Sequence, residues 1–390
     1  MSRIKTPSLS LKELLVQIKD LVEIQLDLAY SAVIYDDKEA AQKALELESK
    51  IAEYLGYVIM RAVMAGRGMN LAEKMYALIL FASALEDISE AAADISKLAI
   101  EGVPLGSAFK EALLRADEVT IRIKVLNKEA FKMRIDQIEQ QTGMRVVAVK
   151  RAKHWILNPQ SNFEIWCDDV LYLTGPDERV GDAYRVLVGS EPGKTQAPVS
   201  ISEHLKSLLD ILISLKYMAE TSLILSYFAL LTKDEDIVKE VKRLEEWVDY
   251  MREVLYLYTL RISRHFDDIE NLRGIFTIID ATERITDSAS KLTRIVEKGI
   301  DVSSFFKIIF SAADEKISLF HVEEGSKLAG KTLGELNVEE NFGVFLLGIR
   351  RDIVWYFNPK DDMQLKVGDM LILRGSAASI EKFIETYRKD

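Results

Sequence analysis

The 390-residue chain carries 51 Lys and Arg against 62 Asp and Glu, a net charge of −11, with 48% hydrophobic residues, 7 prolines and a single cysteine. The charge argues against a nucleic-acid or anionic-lipid binder, which would need concentrated bases, and the composition argues against disorder. Cys167 cannot close an intramolecular disulfide, and Met1 to Ser10 shows no apolar core of a signal peptide, so the cytosol is the expected compartment.

Leu11, Leu14, Leu15, Ile18, Val22 and Leu28 recur at helical spacing, which predicts an amphipathic helix from Ser10, its cap, to about Ile34. After the Asp36-Asp37 turn, a second helix is expected over Lys38 to Ala65. Gly66 to Gly68 breaks it, and a third runs from Asn70 to Ile100 before Gly102. Short connections between three long helices imply an antiparallel bundle. Beyond Pro104 the pattern predicts a short helix to about Asp117, a strand at 119–125, a helix over 128–140, strands at 145–150, 155–157 and 170–174, and a closing helix. Gly189 to Pro198 is the richest breaker cluster. Helices over 202–232, 234–264 and 267–298 then follow, with a strand at 316–322. The most apolar stretch, Ile211 to Leu231, is interrupted by Lys216 and Glu220 and reads as a buried helix rather than a membrane span.

The second half repeats the first. Glu23, Tyr30, Glu48 and Glu86 recur as Glu220, Tyr227, Glu245 and Glu283 at an offset of 197 residues, and Trp155 to Pro159 is echoed at an offset of 200 by Trp355 to Pro359. Duplication makes each half a control for the other. The expected fold is α+β and mostly helical, with two repeats. Each is an antiparallel three-helix bundle (1–103 and 201–300) followed by a small α+β domain (104–190 and 301–390), joined by a linker at 191–200.

Thr282-Glu283-Arg284-Ile285-Thr286-Asp287 resembles the E-R-I-x-D signature of the PhoU family of helical regulators, and Glu86-Asp87-Ile88-Ser89-Glu90 keeps it less well. Ser326 to Leu336, Ile349-Arg350-Arg351, Trp355, Asn358-Pro359 and Gly368-Asp369 resemble the C-terminal domain of TrkA and RCK potassium-transport regulators (RCK_C). The first copy keeps Val149-Lys150-Arg151, Trp155, Asn158-Pro159 and Asp169 but not the glycines. The first resemblance implies acidic helices that bind multinuclear metal clusters. The second implies domains that pair and accept small anionic effectors, including cyclic di-nucleotides, near their dimer interface.

Glu86 and Glu283 each lie seven residues beyond an apolar residue of the third helix, Ile79 and Phe276, so both are expected on the apolar stripe. Glu90 and Asp287 follow one turn later, within reach of a shared cation. Glu23, Glu220, Glu48 and Glu245 interrupt apolar positions in the same way. Buried carboxylates need neutralising, either by divalent or ferric ions or by bases such as Lys19, Arg61, Arg252 and Arg294. A second candidate site holds Lys150, Arg151 and Asn158, with Arg350, Arg351 and Asn358 in the other copy, where planar guanidinium groups suit phosphate. The bland alternative places these residues on a solvated strand edge.

Gly325 to Thr332 spells G-x-x-x-x-G-K-T, the phosphate-cradling string of nucleotide hydrolases, yet the first copy has no glycine in the corresponding segment. His154, His204, His265 and His321 make no metal-ligand spacing, and a duplicated active site should appear twice. The sequence therefore predicts a regulator rather than an enzyme: a cytosolic, ligand-sensing subunit of a membrane cation transporter or channel, for potassium or a divalent ion. It is expected at the inner face of the membrane without inserting, without nucleic acid, and as a homodimer or intramolecular pseudo-dimer. The alternative is a phosphate-signalling adaptor of the PhoU type with metal-binding bundles.

Overall fold

The computed structural model describes residues 9–65, 69–103, 118–190, 203–263, 270–300 and 315–387, apart from 353, 358 and 360. The expected short helix before residue 117, the joint at 191–200, the Gly66 to Gly68 break and Asn358 lie outside the described residues.

Three long helices come first: α1 (Leu11–Tyr35), α2 (Lys38–Ala65) and α3 (Met69–Glu101). Ser10 starts α1 with a reciprocal cap, its hydroxyl accepting the Glu13 N–H at 3.2 Å while the Glu13 carboxylate accepts the Ser10 N–H at 2.6 Å. Asp36 turns the chain in the left-handed region (φ 52°), and Asp37 accepts the N–H groups of Glu39 and Ala40 at the start of α2. The three helices pack pairwise. Leu14, Ile18, Leu28, Ile51, Leu55, Leu78, Phe81 and Leu85 are buried between them, and each such side chain contributes about 1.5–3 kcal/mol by leaving water.

A mixed domain follows, comprising β1 (Glu118–Lys124), a single turn at Lys128–Ala130, α4 (Ile135–Thr142), β2 (Arg145–Arg151), β3 (His154–Leu157), β4 (Val170–Pro176) and α5 (Val180–Leu187). Its antiparallel sheet has the order β1-β4-β2-β3. The helix expected over 128–140 is broken instead. Lys132 takes a positive φ of 65°, and the N–H groups of Lys132 and Ile135 donate to the carbonyls of Ile165 and Phe163, so the segment runs extended beside 163–165 before α4 begins.

Alternation along β1 turns Val119, Ile121 and Ile123 into the core and sends Thr120 and Arg122 to the opposite face. That face docks on α1. Arg122 Nε meets Asp37 at 2.7 Å, the Tyr172 hydroxyl donates to the same carboxylate at 2.8 Å, and Thr120 donates to Asp27 at 3.2 Å. Burial, then the adjacent Asp37 charge, holds the Tyr172 hydroxyl protonated far above its ordinary range.

Next come α6 (Glu203–Thr232), α7 (Glu235–Ile262), capped by Asp234, and α8 (Glu270–Glu297). Helix α7 packs on α8, and α8 packs on α3. Helix α6 meets the first half where Lys216 lies 5.3 Å above the ring of Tyr30 and where Tyr227 approaches Phe81 with ring centroids 6.2 Å apart. Among the described residues no helix is long and apolar enough to cross a membrane.

Residues 1–230 and 234–302 belong to one compact unit, residues 231–233 and 303–390 to another. The second unit holds β5 (Glu315–His321), α9 (Leu333–Leu336), α10 (Val338–Phe342), β6 (Val344–Arg351), β7 (Val354–Phe357), β8 (Met370–Ser376) and α11 (Ala377–Tyr387). Its strand order, β5-β8-β6-β7, repeats that of the first sheet. The two sheets also share an irregularity in register, at Val146/Ala148 and at Leu346/Gly348. Leu319 and Ile372 pair across β5 and β8 where Arg122 and Tyr172 pair across β1 and β4, so the polar anchor to Asp37 is not duplicated.

Candidate functional site

The carboxylates gather where α7 runs beside α8. Glu245 and Asp249 stand one turn apart on α7, Glu283 and Asp287 one turn apart on α8, a spacing that puts each pair on one helix face. Oxygens of Asp249, Glu283 and Asp287 all lie within 4.8 Å of one another. Arg252 borders the cluster, with Nη1 3.8 Å from Glu283 and Nε 3.1 Å from Asp280, which also accepts the Tyr256 hydroxyl at 2.7 Å.

This crowding shows in the acidities. Burial, then repulsion from Asp287, raises the pKa of Glu283 above its ordinary 4.5, against the pull of Arg252. Asp287 is raised by burial and then by Asp249, and Glu245 by burial and then by Asp287 and Asp249. Three half-buried acids, Glu245, Glu283 and Asp287, and the exposed Asp249 outnumber the nearby positive charges, Arg252 and Lys291. An all-oxygen donor set of this size fits a hard cation such as a divalent or ferric ion.

The corresponding positions of the first half are Glu48, Ala52, Glu86 and Glu90, so the third carboxylate of the cluster is replaced by a methyl group. Glu86 and Glu90 are exposed, contrary to the expectation that they lie on the buried stripe. The reason is that Ile79 and Phe276, from which that stripe was counted, are themselves only half-buried at its edge. Burial, then Glu90 and Asp87, raises Glu86, and burial raises Glu48 while Lys97 opposes it.

Glu23 and Glu220 go elsewhere. Each pairs with a lysine one turn earlier, Lys19 and Lys216, at 2.8 Å. The charge of Glu23 faces Tyr227, whose hydroxyl is held protonated mainly by its burial, while Tyr30, near Lys216 and Glu220, is pushed up to about 12, again chiefly by burial.

The basic candidates are largely engaged. Arg151 clasps Asp169 through Nε and Nη2 at 2.9 and 2.7 Å, donates to the Glu164 carbonyl at 2.7 Å and lies against the rings of Trp166 and Phe163. Arg351 clasps Asp369 at 2.7 Å through both nitrogens and donates to the Gln364 carbonyl at 2.8 Å. Lys150 pairs with Glu39, and Arg350 donates to the Asp352 carbonyl at 2.9 Å. Asn158 is exposed in a left-handed turn (φ 44°).

Six of the eight amides of the hydrolase-like string are already engaged. The N–H groups of Ser326, Ala329, Gly330 and Lys331 donate to carbonyls of the same unit, that of Leu328 to the Ser326 hydroxyl, and that of Thr332 to Glu335. Thr332 itself caps α9, which is four residues long.

Asp249 and Asp280 were not singled out from sequence. Asp249 could have been, because it stands one turn beyond Glu245 on the same helix.

Residues 15–99 match the PhoU domain and residues 317–387 the TrkA-C domain. The chain carries both domains. Over 90 residues it is 34% identical to Probable potassium channel protein 2 of Methanocaldococcus jannaschii, covering 23% of this chain and 26% of that protein. Over 76 residues it is 34% identical to the K(+)/H(+) antiporter subunit KhtT of Bacillus subtilis, covering 19% of this chain and 46% of that protein. The chain thus spans about a quarter and about half of the lengths of these curated relatives. Among solved structures, PhoU from Pseudomonas aeruginosa aligns over 73% of this chain and 93% of that one, with a TM-score of 0.37 and 14% identity. A GsuK channel bound to NAD aligns over 80% and 65%, with a TM-score of 0.18 and 14% identity.

Proposed function

We propose that this chain is a regulatory subunit that senses a ligand and controls a membrane cation transporter, for potassium or a divalent ion. The observation that carries the reading is a TrkA-C domain combined in one chain with a PhoU domain, in a chain that is 34% identical over 90 residues to a potassium channel protein and over 76 residues to an antiporter subunit. In this reading the organisation is a tandem of helical bundle (1–103), RCK_C-like domain (104–190), linker (191–200), bundle (201–300) and RCK_C-like domain (301–390).

One input is a divalent or ferric cation held by Asp249, Glu283 and Asp287, with Glu245 alongside. When bound, the cation supplies the positive charge that these acids lack. Without it, α7 and α8 hold like charges together at a cost in stability, and Arg252 offsets only part of that cost. A second input is a small anionic effector, such as a cyclic di-nucleotide, at the mixed domains. Asp169 and Asp369 already hold Arg151 and Arg351, so an anion at the first mixed domain would engage Asn158 and compete with Glu39 for Lys150, and an anion at the second would compete for Arg350. Occupancy of either site shifts the population between arrangements that the transporter distinguishes.

The experiment has two arms. Chelator-treated protein titrated with Mn²⁺, Mg²⁺ or Fe³⁺ should gain thermal stability, and an Asp249→Asn/Asp287→Asn variant should not. Tagged protein incubated with detergent-solubilised membranes of the source cells should retain a cation channel or antiporter. Recovery of a histidine kinase or phosphate transporter instead would overturn the transporter reading in favour of a phosphate-signalling adaptor.

A further inference from the structure

The contact between α3 and α8 has a hidden symmetry. At the offset of 197, Asp87 corresponds to Arg284, Asp94 to Lys291, Tyr76 to Arg273 and Glu101 to Lys298. Asp87 pairs with Lys291, and Arg284 Nη1 meets Asp94 at 3.0 Å. These are one contact made twice with the halves exchanged. Glu101 pairs with Arg273, and Lys298 lies 5.1 Å above the ring of Tyr76, which again is one contact made twice. Reciprocal contacts of this kind are what a two-fold axis between two equivalent partners produces.

The charges, however, do not follow the symmetry. Every ionised member on α3 (Asp87, Asp94 and Glu101) is acidic, and every member on α8 (Arg273, Arg284, Lys291 and Lys298) is basic. Two α3 helices placed in the same arrangement would set Asp87 against Asp94 twice. Two α8 helices would set Arg284 against Lys291 twice and Arg273 against Lys298 twice. Opposed like charges are a strong device for refusing a partner, even where each attractive pair is modest on its own.

We propose that the α3 and α8 faces form a charge-sorted seam through which a first half accepts only a second half. A second copy of this chain can then associate through this face only by exchanging halves, never by pairing like with like.

The test uses full-length chains. One variant, Asp87→Lys/Asp94→Lys/Glu101→Lys, makes both faces basic. The other, Arg273→Glu/Arg284→Asp/Lys291→Asp/Lys298→Glu, makes both acidic. Each alone is expected to melt below the parent protein and to show no 1:1 pairing with the parent. Mixed, the two satisfy both seams by exchange, so native mass spectrometry should show a heterodimer that neither forms alone. All seven substitutions in one chain should restore most of the lost melting temperature, as should the milder pair Asp87→Lys/Lys291→Asp relative to either single change. Parent-like melting of both single-sided variants, absence of the mixed heterodimer, or failure of the combined reversals to restore stability would each overturn the proposal.

Discussion

Asp369 and Glu283 are both acids set into an apolar framework, and the protein treats them in opposite ways. Asp369 is 0% exposed, yet both of its oxygens are gripped by Arg351 and one also takes the Lys366 N–H at 2.8 Å. Its counterpart Asp169, 2% exposed, is held identically in kind by Arg151 and the Trp166 N–H. Glu283 keeps partial access to water but faces Asp287 and Asp249, with one arginine at 3.8 Å. Depth of burial is therefore a poor guide to which acid lacks opposite charge. The count of opposite charges within reach is the better one, because a buried charge with a full set of partners is structural.

The largest way to break the comparison is to strand one partner of the satisfied pair. Asp369→Ala leaves the half-buried Arg351 against its aromatic neighbour without its carboxylate, and should cost the second mixed domain about 1.5–3 kcal/mol. Amide hydrogen exchange in β6 and β8 would report the loss, and unchanged protection would show that Arg351 finds another acceptor.

The unsatisfied cluster should respond with the opposite sign. Glu283→Gln/Asp287→Asn removes repulsion, so chelated protein should gain roughly 0.5 kcal/mol, the scale of half-exposed charge interactions, while its response to added cation disappears. The pH dependence follows from the raised acidities of Glu283, Asp287 and Glu245. A group that binds its proton more tightly folded than unfolded adds stability below its ordinary value, near 4.5 for Glu and 3.8 for Asp, and loses it as the pH climbs through the raised value. The gain of the variant over the parent should therefore be full at neutral pH and shrink as the pH falls toward 4. A gap that stays constant over that range would mean that the cluster is not repulsive.

A graft sharpens the contrast most gently. Ala52→Asp places a fourth acid beside Glu48, Glu86 and Glu90 and should give the first half a small, cation-dependent rise in melting temperature. An Asp249→Asn background makes that rise visible, and its absence would show that the exposure of Glu86 and Glu90 matters more than the number of acids.

The long helices were legible because their apolar residues recur at 3.6 and their ends carry Ser10, Asp37 and Asp234. Alternation in β1 and the Asn-Pro turn after β3 were equally readable. The break at Lys132 was not, since no Gly or Pro marks it and the conformation is held by carbonyls of Phe163 and Ile165, some thirty residues away. Glu245, Glu283 and Asp287 stood out as acids in apolar company, but only the packing of α7 on α8 shows that Asp249 joins them and that Glu23 and Glu220 do not. The clasp of Arg151 at the end of β2 on Asp169, just before β4, links positions 18 residues apart, a relation that no local pattern encodes.

The stretch from Gly325 to Thr332 carries a wider lesson about spelling and grip. Letters that elsewhere wrap a nucleotide here fold inward, because their amide hydrogens are spent on the domain's own carbonyls and on two side chains. A short string of glycines, lysine and threonine thus has meaning only together with the hydrogen bonds of the loop that bears it, and in this chain six of its eight amides are already engaged.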